Sequence, residues 1–166
     1  MTESKRNQSR TLVSDARDVV ERCAGTNVRL AARRITNFLE TEMRATDLSI
    51  AQFGLMAHVA AAEDDTIGGL AERTGLDQST LSRNLRALEG AGLVEIAVVE
   101  RDLRKRAVWL TEAGARRLAA AIPVWQQAQK TLSAFLDPAV VKQLAAATAG
   151  LDGADKRPTA QRSSLP

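Results

Sequence analysis

Residues 78–86 carry an unusual set of polar side chains on a segment whose apolar spacing predicts a helix. The set combines hydroxyls, an amide and two arginines, without an acid between Asp77 and Glu89: Gln78, Ser79, Thr80, Ser82, Arg83 and Arg86. Hydroxyl and amide groups approach a partner closely, and arginine can grip a phosphate or the two acceptors of guanine. Acids, which would repel phosphate, are absent from this face. The face is therefore typical of a surface that contacts DNA.

A second cationic cluster follows within residues 101–106, the stretch RDLRKR. Its four cations are Arg101, Arg104, Lys105 and Arg106. The segments LVEIAVV and AVWL on either side predict two strands, so the cluster becomes the charged loop of a hairpin. A basic tip of this shape fits the minor groove, whose narrow A·T regions attract arginine. Asp102 is costly beside phosphate unless it pairs with a cation, and we expect it to pair with Arg104 and orient it.

The elements around these side chains predict how they are held. Leu81, Leu85 and Leu88 form one apolar stripe, which would fix the helix to a core with its polar side outward. Asp77 is a good N-cap, and Gly75 can end a short preceding helix in the left-handed conformation. Two helices joined by a tight glycine turn make a helix-turn-helix, and a hairpin after them makes it winged. We expect helix 77–89 in the major groove and wing 99–107 at the minor groove.

Helical patterns also flank this motif. Spacing predicts a long helix over about 13–46, a helix begun by a capping box at Ser49, and two helices begun at Thr111 and Asp137. The winged helix-turn-helix would occupy about 48–111, with terminal helices at about 13–46 and 112–150. Residues 1–12 predict a disordered basic arm and residues 151–166 a disordered tail. The predicted fold class is mainly α with a small β-hairpin wing.

The stretches LDQSTLSRNLRALEGAGLV and RDLRKRAVWLTEAG resemble the MarR family of winged helix-turn-helix regulators, and the likeness runs from about residue 15 to 150. Residues 77–89 match the family's D-x-S-T-x-S-R helix. Asp102 and Arg104 match its D-x-R wing, and Thr111 and Gly114 its L-T-x-x-G element. The resemblance implies a homodimer built from the terminal helices, with each subunit reading half of a pseudo-palindromic operator. It also implies a repressor released by a small, aromatic ligand or by oxidation.

One departure from the family pattern concerns the first helix of the motif. Gly68 and Gly69 stand where a Ser or Thr cap is expected, so we expect that helix to begin loosely. A second departure is Trp109, which replaces a small or polar residue on the outer side of the wing strand.

Two further features have alternative interpretations. Phe38, Phe53 and Trp125 are candidates for an effector pocket between the dimer helices and the DNA-binding lobe, a location implied by the resemblance. Their more ordinary role is core or dimer packing. Cys23 is favoured as a small apolar residue in a helix interface. As a redox sensor it would need a lowered pKa, which neighbouring Arg22 could provide, and any disulfide would involve another subunit or a small thiol.

Composition limits the remaining classes. The chain has 166 residues, a net charge of +3 and a single cysteine, so a polyanion partner is allowed and an intrachain disulfide is excluded. Its start, MTESKRNQSR, lacks the apolar stretch of a signal peptide, and the apolar runs are too short to span a bilayer. We expect a soluble cytoplasmic protein without a membrane partner. One histidine, one cysteine and no tyrosine offer no nucleophile–base pair, so we expect no enzyme, metal or cofactor.

These patterns together predict a sequence-specific DNA-binding transcriptional regulator, a homodimeric repressor released by a small ligand. Two alternatives stay open at this point. One is a thiol-based regulator that senses oxidants through Cys23. The other is a helical dimer that acts through protein partners without DNA.

Overall fold

The computed structural model describes residues 3–62, 66–99 and 102–151. Within these ranges the chain forms seven α-helices and one two-stranded antiparallel sheet, so the predicted fold class is confirmed. In chain order the elements are α1 (Glu3–Arg22), α2 (Ala24–Met43), α3 (Ile50–Ala60), α4 (Ile67–Thr74), α5 (Gln78–Gly90), β1 (Val94–Val99), β2 (Asp102–Leu110), α6 (Glu112–Ser133) and α7 (Pro138–Thr148). A single 3-10 turn, Arg44–Thr46, follows α2.

The chain divides into two compact units, Met1–Trp125 and Gln126–Pro166. In the second unit, α7 begins as its sequence predicts. The Asp137 carboxylate accepts a hydrogen bond of 2.8 Å from the backbone N–H of Ala139, and Pro138 occupies the first turn, where its missing N–H costs nothing. No residue of α7 is buried in this single chain, although the helix is largely apolar.

The core of the first unit gathers side chains from α2, α3, α4, α5, the hairpin and α6. Its fully buried members include the three leucines of α5, since Leu81 and Leu88 are 0% and Leu85 2% exposed. Each buried leucine contributes about 1.5–3 kcal/mol relative to an exposed one. The predicted stripe is thus confirmed, and it holds the opposite, polar side of α5 toward solvent.

Local caps place the helices of the helix-turn-helix. Ser49 begins α3 with the predicted capping box, in which its hydroxyl accepts from the N–H of Gln52 and the Gln52 side chain accepts from the N–H of Ser49. The loose start expected for α4 is wrong, because Thr66 caps it and accepts a 3.2 Å hydrogen bond from the N–H of Gly69. Gly75 ends α4 at φ 62°, the left-handed region that favours glycine.

The hairpin pairs Val94 with Leu110 and Ile96 with Val108. Val94 and Val108 are both 2% exposed, so this face closes the core beside α5. Residues 102–106 belong to β2, which corrects the prediction of a charged loop over this stretch. Cross-strand pairing continues to Val99, which lies opposite Asp102, with a register shift after Val98.

The structure of the N-terminal segment also differs from the sequence-based prediction. Residues 3–12, predicted as part of a disordered arm, belong to α1. Residues 3–22 contain neither glycine nor proline, so nothing breaks a helix there. The predicted long helix divides at Cys23, whose extended ψ of 102° separates α1 from α2. Residues 1–2 and the predicted tail from 152 onward lie outside the described residues.

A tight junction connects the end of the helix-turn-helix to α6. The Thr111 N–H donates to the Leu93 carbonyl at 3.1 Å, and the Thr111 hydroxyl donates to the Gly92 carbonyl at 2.7 Å. The same hydroxyl accepts from the N–H of Gly114 at 3.0 Å and so caps α6. Gly114 lies so close to the Leu93 carbonyl that a Cβ there would be 1.9 Å from its oxygen. The junction therefore requires glycine at this position.

Candidate nucleic-acid interface

The polar side of α5 stands opposite its three buried leucines. Its side chains differ in exposure. Gln78, Ser79, Arg83 and Arg86 are exposed, whereas Thr80 and Ser82 are half-buried. The six residues of α5 that are predicted for DNA contact therefore lie on the side of the helix away from the core. Among the described residues of this helix face, the acids occur only at its two ends, Asp77 and Glu89.

Asp77 organises the N-terminus of α5. One carboxylate oxygen, Oδ1, accepts from the Thr80 N–H at 2.8 Å and from the Ser79 hydroxyl at 2.6 Å. The other, Oδ2, accepts from the Thr80 hydroxyl at 2.8 Å. These bonds, led by that from Ser79, hold the pKa of the Asp77 carboxyl well below its usual range. The carboxylate is therefore ionised at neutral pH, and much of its hydrogen-bonding capacity is occupied.

Arg83 lies back along the helix toward this network. Its Nε donates to the Ser79 carbonyl and its Nη2 to the Thr80 hydroxyl oxygen, both at 3.4 Å. Both bonds are long and exposed, so they hold the guanidinium near the helix N-terminus without using all of its donors. The charge of Arg83 and the partial positive charge of the helix N-terminus thus both raise the electrostatic potential at the end of α5 that would enter a groove.

A groove of about 560 Å³ runs between α5 and the hairpin. The side chains that make it polar come from three separate segments. Gln78, Ser82 and Arg86 line it from α5, Arg106 from β2, and Thr66 from the start of α4. Glu89 also lines it, at the end away from the helix N-terminus. Two of the predicted DNA-contacting arginines, 86 and 106, therefore face one concave surface, although twenty residues separate them in the chain.

The structure describes the residues of the predicted wing cluster to different extents. Arg106 is exposed on β2, and the backbones of Asp102, Arg104 and Lys105 belong to the same strand. Arg101 lies outside the described residues. The proposed pairing of Asp102 with Arg104 is a side-chain contact at positions where only the backbone is described, so it stays a prediction. Trp109, on the same strand, donates from Nε1 to Glu95 Oε2 at 3.2 Å and is 37% exposed.

Cys23 occupies the break between α1 and α2. It is half-buried, and the Thr26 hydroxyl donates to its Sγ at 3.3 Å. That hydrogen bond is the largest of the influences that lower the pKa of the thiol, and the charge of Arg29 acts in the same direction. Arg22, which the sequence suggested for this role, instead pairs with Asp18 at 3.3 Å. The chemistry here is that of a thiol with increased thiolate character.

The aromatic residues predicted for an effector pocket have different environments. Phe53 and Trp125 stack with ring centroids 5.9 Å apart and an interplanar angle of 30°. Phe53 belongs to the core, and Trp125 packs against it. Phe38 is half-buried on α2. The stacked pair therefore serves packing in this structure, and a ligand-binding role of the three residues stays a prediction.

The described residues also bear on membrane insertion and on metal binding. No helix among them combines the length and apolar character needed to cross a membrane. Within the same part of the chain, no group of three or more His, Cys, Asp or Glu side chains is placed to hold a metal ion.

Sequence reasoning missed two features of this interface. It treated Asp77 only as a cap, although the D-x-S-T spacing puts hydroxyls two and three residues after the carboxylate, within reach of it. It also placed the cap of α4 at the glycines rather than at Thr66, which additionally forms an isolated bridge with Ala107 of β2. That bridge fastens the start of α4 to the hairpin beside the groove.

The arrangement is that of a winged helix-turn-helix DNA-binding domain, and comparison with known proteins agrees. Residues 46–105 match the model of the MarR family. The M. tuberculosis transcriptional regulator MosR in complex with DNA is 28% identical, with a TM-score of 0.73 over 80% of this chain and 98% of that one. None of the curated protein sequences matches the chain.

Two more distant structures share the fold. The S. aureus MepR–DNA complex has a TM-score of 0.65 at 20% identity, over 79% of this chain and 97% of that one. A mutant MarR from E. coli complexed with operator DNA has a TM-score of 0.69 at 21% identity, over 81% of this chain and 96% of that one. Over residues 46–105 the chain carries the winged helix-turn-helix of the MarR family of transcriptional regulators.

Proposed function

We propose that this regulator is a homodimeric repressor whose two α5 helices read the halves of a pseudo-palindromic operator. The observation that carries the proposal is the polar face of α5, with its arginines held outward and its flanking carboxylate Asp77 occupied by hydrogen bonds. Such a face can enter a major groove without repelling its phosphates. MosR, MepR and MarR, whose structures share the fold, are each seen bound to DNA.

The groove between α5 and the hairpin supports part of the contact set that we propose. Arg86 and Arg106 line one concave surface, which suits a DNA backbone passing between α5 and the hairpin. The N-terminal side chains of α5 then face base edges. The wing cations, at positions 101, 104, 105 and 106, would reach the minor groove, with Asp102 orienting Arg104. The contact set we propose is Gln78, Ser79, Thr80, Ser82, Arg83, Arg86, Arg101, Arg104, Lys105 and Arg106.

The direct test is fluorescence anisotropy of the purified protein with a labelled duplex from upstream of its own gene. A scrambled duplex of equal length is the matched control, and both are titrated at low and high salt. Tight binding to the first duplex alone, weakened by salt, supports the proposal, because phosphate contacts release counterions. Equally weak binding to this duplex, to its scrambled control and to random-sequence duplexes would contradict sequence-specific recognition.

The dimer is supported by apolar side chains left exposed on the terminal helices. On α1, Leu12, Val19 and Val20 are 65–69% exposed. On α7, Val141 and Leu144 are exposed by 44% and 43%. Monomeric proteins rarely leave such helix faces uncovered. We propose that the helices at about 13–46 and 112–150 form the interface between two copies of the chain.

Leu144→Glu is expected to weaken the dimer, because it places an unpaired charge in an apolar interface. We expect the dimer dissociation constant to rise about 100-fold or more, which corresponds to a loss of nearly 3 kcal/mol. Sedimentation velocity over a concentration series measures the change. Gln143→Glu is the matched control, since it adds the same charge at an exposed polar position of the same helix. Equal effects of the two substitutions would contradict an interface at Leu144.

Release by a small aromatic ligand belongs to the same proposal, with Phe38, Phe53 and Trp125 as the pocket. A ligand releases DNA only if it binds the DNA-free form more tightly than the DNA-bound form. Trp125 is half-buried and stacked on Phe53, so a ligand that separated the two rings would rearrange the core beneath α5. Small aromatic carboxylates can be screened by release of labelled operator, and a releasing compound should quench tryptophan fluorescence.

A second candidate function, control by oxidation of Cys23, is favoured by the lowered pKa of its thiol. The thiolate would attack a peroxide oxygen, forming an S–O bond and expelling hydroxide, which leaves a sulfenic acid at the break between α1 and α2. Peroxide should then release DNA from the native protein but not from a Cys23→Ser variant. Release from the variant by the same dose would exclude this candidate.

Thr26→Val is expected to raise the pKa of Cys23, because it removes the hydroxyl hydrogen bond that lowers it most. Alkylation by iodoacetamide follows the thiolate fraction, so the pH at half-maximal rate should be below that of an ordinary thiol in the native protein and higher in the variant. Thr41→Val is the control, since the Thr41 hydroxyl donates to the Asn37 carbonyl of the same helix. An unchanged midpoint in Thr26→Val would contradict the assignment.

A further inference from the structure

Asp77 does more than a helix cap requires. Capping needs one carboxylate oxygen, and Oδ1 meets that need through the Thr80 N–H at 2.8 Å. Oδ2 has a different partner, the Thr80 hydroxyl at 2.8 Å, and Oδ1 also takes the Ser79 hydroxyl at 2.6 Å. An ionised carboxylate only accepts hydrogen bonds. Both hydroxyl protons must therefore point at Asp77 and away from any partner in solution.

This fixes the hydrogen-bonding character of two side chains that face the DNA. The 2.6 Å contact of Ser79 has the length of a charge-assisted O–H···O⁻ bond, which is about twice as strong as a neutral one. The Ser79 hydroxyl keeps lone pairs and has no proton to offer. The Thr80 hydroxyl also receives Arg83 Nη2 at 3.4 Å, so it keeps one lone pair. Both oxygens are acceptors only.

We propose that Asp77 is a specificity-determining residue: by holding both hydroxyl protons, it makes Ser79 and Thr80 select DNA bases that donate hydrogen bonds in the major groove. In that groove the donors are the exocyclic amino groups of adenine and cytosine. Guanine and thymine offer acceptors there, and phosphate oxygens are acceptors as well, so none of them can pair with these hydroxyls. The inference rests on the proposed function, because it assumes that α5 lies in the major groove.

Asp77→Asn separates this role from capping. Asparagine caps helices as well as aspartate does, so α5 should keep its start. The amide oxygen must stay on the Thr80 N–H and the Ser79 hydroxyl, because an amide nitrogen cannot accept. The amide NH₂ then faces the Thr80 hydroxyl, which must accept from it and can turn its own proton outward. The substitution thus turns the Thr80 hydroxyl from an acceptor into a donor toward DNA, and it leaves the Ser79 hydroxyl an acceptor.

The experiment is selection of binding sites from a random-sequence duplex library by the full-length protein, followed by sequencing. Native protein, Asp77→Asn, Thr80→Val and Ser79→Ala are compared. Native protein should enrich adenine or cytosine at two positions by about fivefold each, the value of one neutral hydrogen bond. Ser79→Ala should remove one of these preferences and Thr80→Val the other. Asp77→Asn should change only the Thr80 position, toward guanine or thymine.

Three results would overturn the inference. One is a preference at the Thr80 position that is unaffected by Asp77→Asn although Thr80→Val abolishes it. Another is selection of guanine or thymine at these positions by the native protein. A third is selection that neither hydroxyl deletion alters. If the native protein enriches no motif at all, the proposed function fails and this inference fails with it, which is a distinct outcome. A thermal melt of Asp77→Asn close to that of the native protein shows that α5 has kept its cap.

Discussion

Arg83→Ala is expected to weaken binding to the operator by about 10- to 100-fold, the usual cost of removing an arginine that reads a base. The Arg83 guanidinium lies beside the Ser79 carbonyl and the Thr80 hydroxyl, at the end of α5 that we propose enters the major groove. Its bonds there are 3.4 Å long, so the group can leave them for a base at small cost. Binding to a scrambled duplex should fall much less. Anisotropy with both duplexes measures the difference.

Arg86→Ala should behave differently because Arg86 faces the groove shared with Arg106. If it grips a phosphate, its loss weakens operator and scrambled duplex alike, and the slope of log affinity against log salt falls by about one. The matched control for both variants is Arg116→Ala. Arg116 is an exposed arginine on α6 that pairs with Glu112 and is not among the proposed DNA contacts. If all three variants lose equal affinity, the loss reflects net charge rather than the geometry of α5.

The caps show what sequence alone could predict, because capping is local chemistry. Ser49, Asp77 and Asp137 were each identified as caps, and each accepts a backbone N–H two or three residues later. The cap of α4 lies at Thr66 and not at Gly68 or Gly69, where the family pattern places it. Thr66, two residues earlier, is followed by an apolar position, which is the ordinary signal of a helix start.

The errors arose where composition alone indicated the backbone conformation. The stretch 102–106 is charged, which is typical of a loop, yet β1 pairs with it as strand. Residues 3–12 are polar, which is typical of disorder, yet they lack helix breakers and continue α1. Pairing with β1 decides the backbone of 102–106, whereas continuity with the rest of α1 decides that of 3–12.

In the candidate site, too, the sequence shows the residue types but not their arrangement in space. Residue types along α5 indicated DNA contact, but no linear pattern could join Arg86 to Arg106 in one groove. Nor could composition state which way the hydroxyls of Ser79 and Thr80 point. That direction depends on distances below 3 Å to the Asp77 carboxylate. A sequence reveals which groups are available to a ligand, and only the three-dimensional arrangement decides whether each group donates or accepts.

The largest effect on stability is expected from Gly114→Ala. The added Cβ would lie 1.9 Å from the Leu93 carbonyl oxygen, and that neighbour is backbone. The same carbonyl accepts from the Thr111 N–H, so it cannot move without breaking the junction that begins α6. We expect a loss of roughly 3 kcal/mol, at the upper end for overpacking. For a chain of this size the melting temperature should fall by about 10 °C, measured by circular dichroism.

Gly90→Ala is the matched control for that loss. Gly90 closes α5, and a Cβ there meets no atom within 4 Å. Alanine also fits a helix better than glycine by about 0.5–1 kcal/mol, so this variant should melt at the native temperature or slightly above it. The contrast isolates the steric cause, because both substitutions add one methyl group to a helical glycine. A Gly114→Ala protein as stable as Gly90→Ala would mean that the first turn of α6 is free to move away from Leu93. The junction would then not fix the end of α5 to the start of α6.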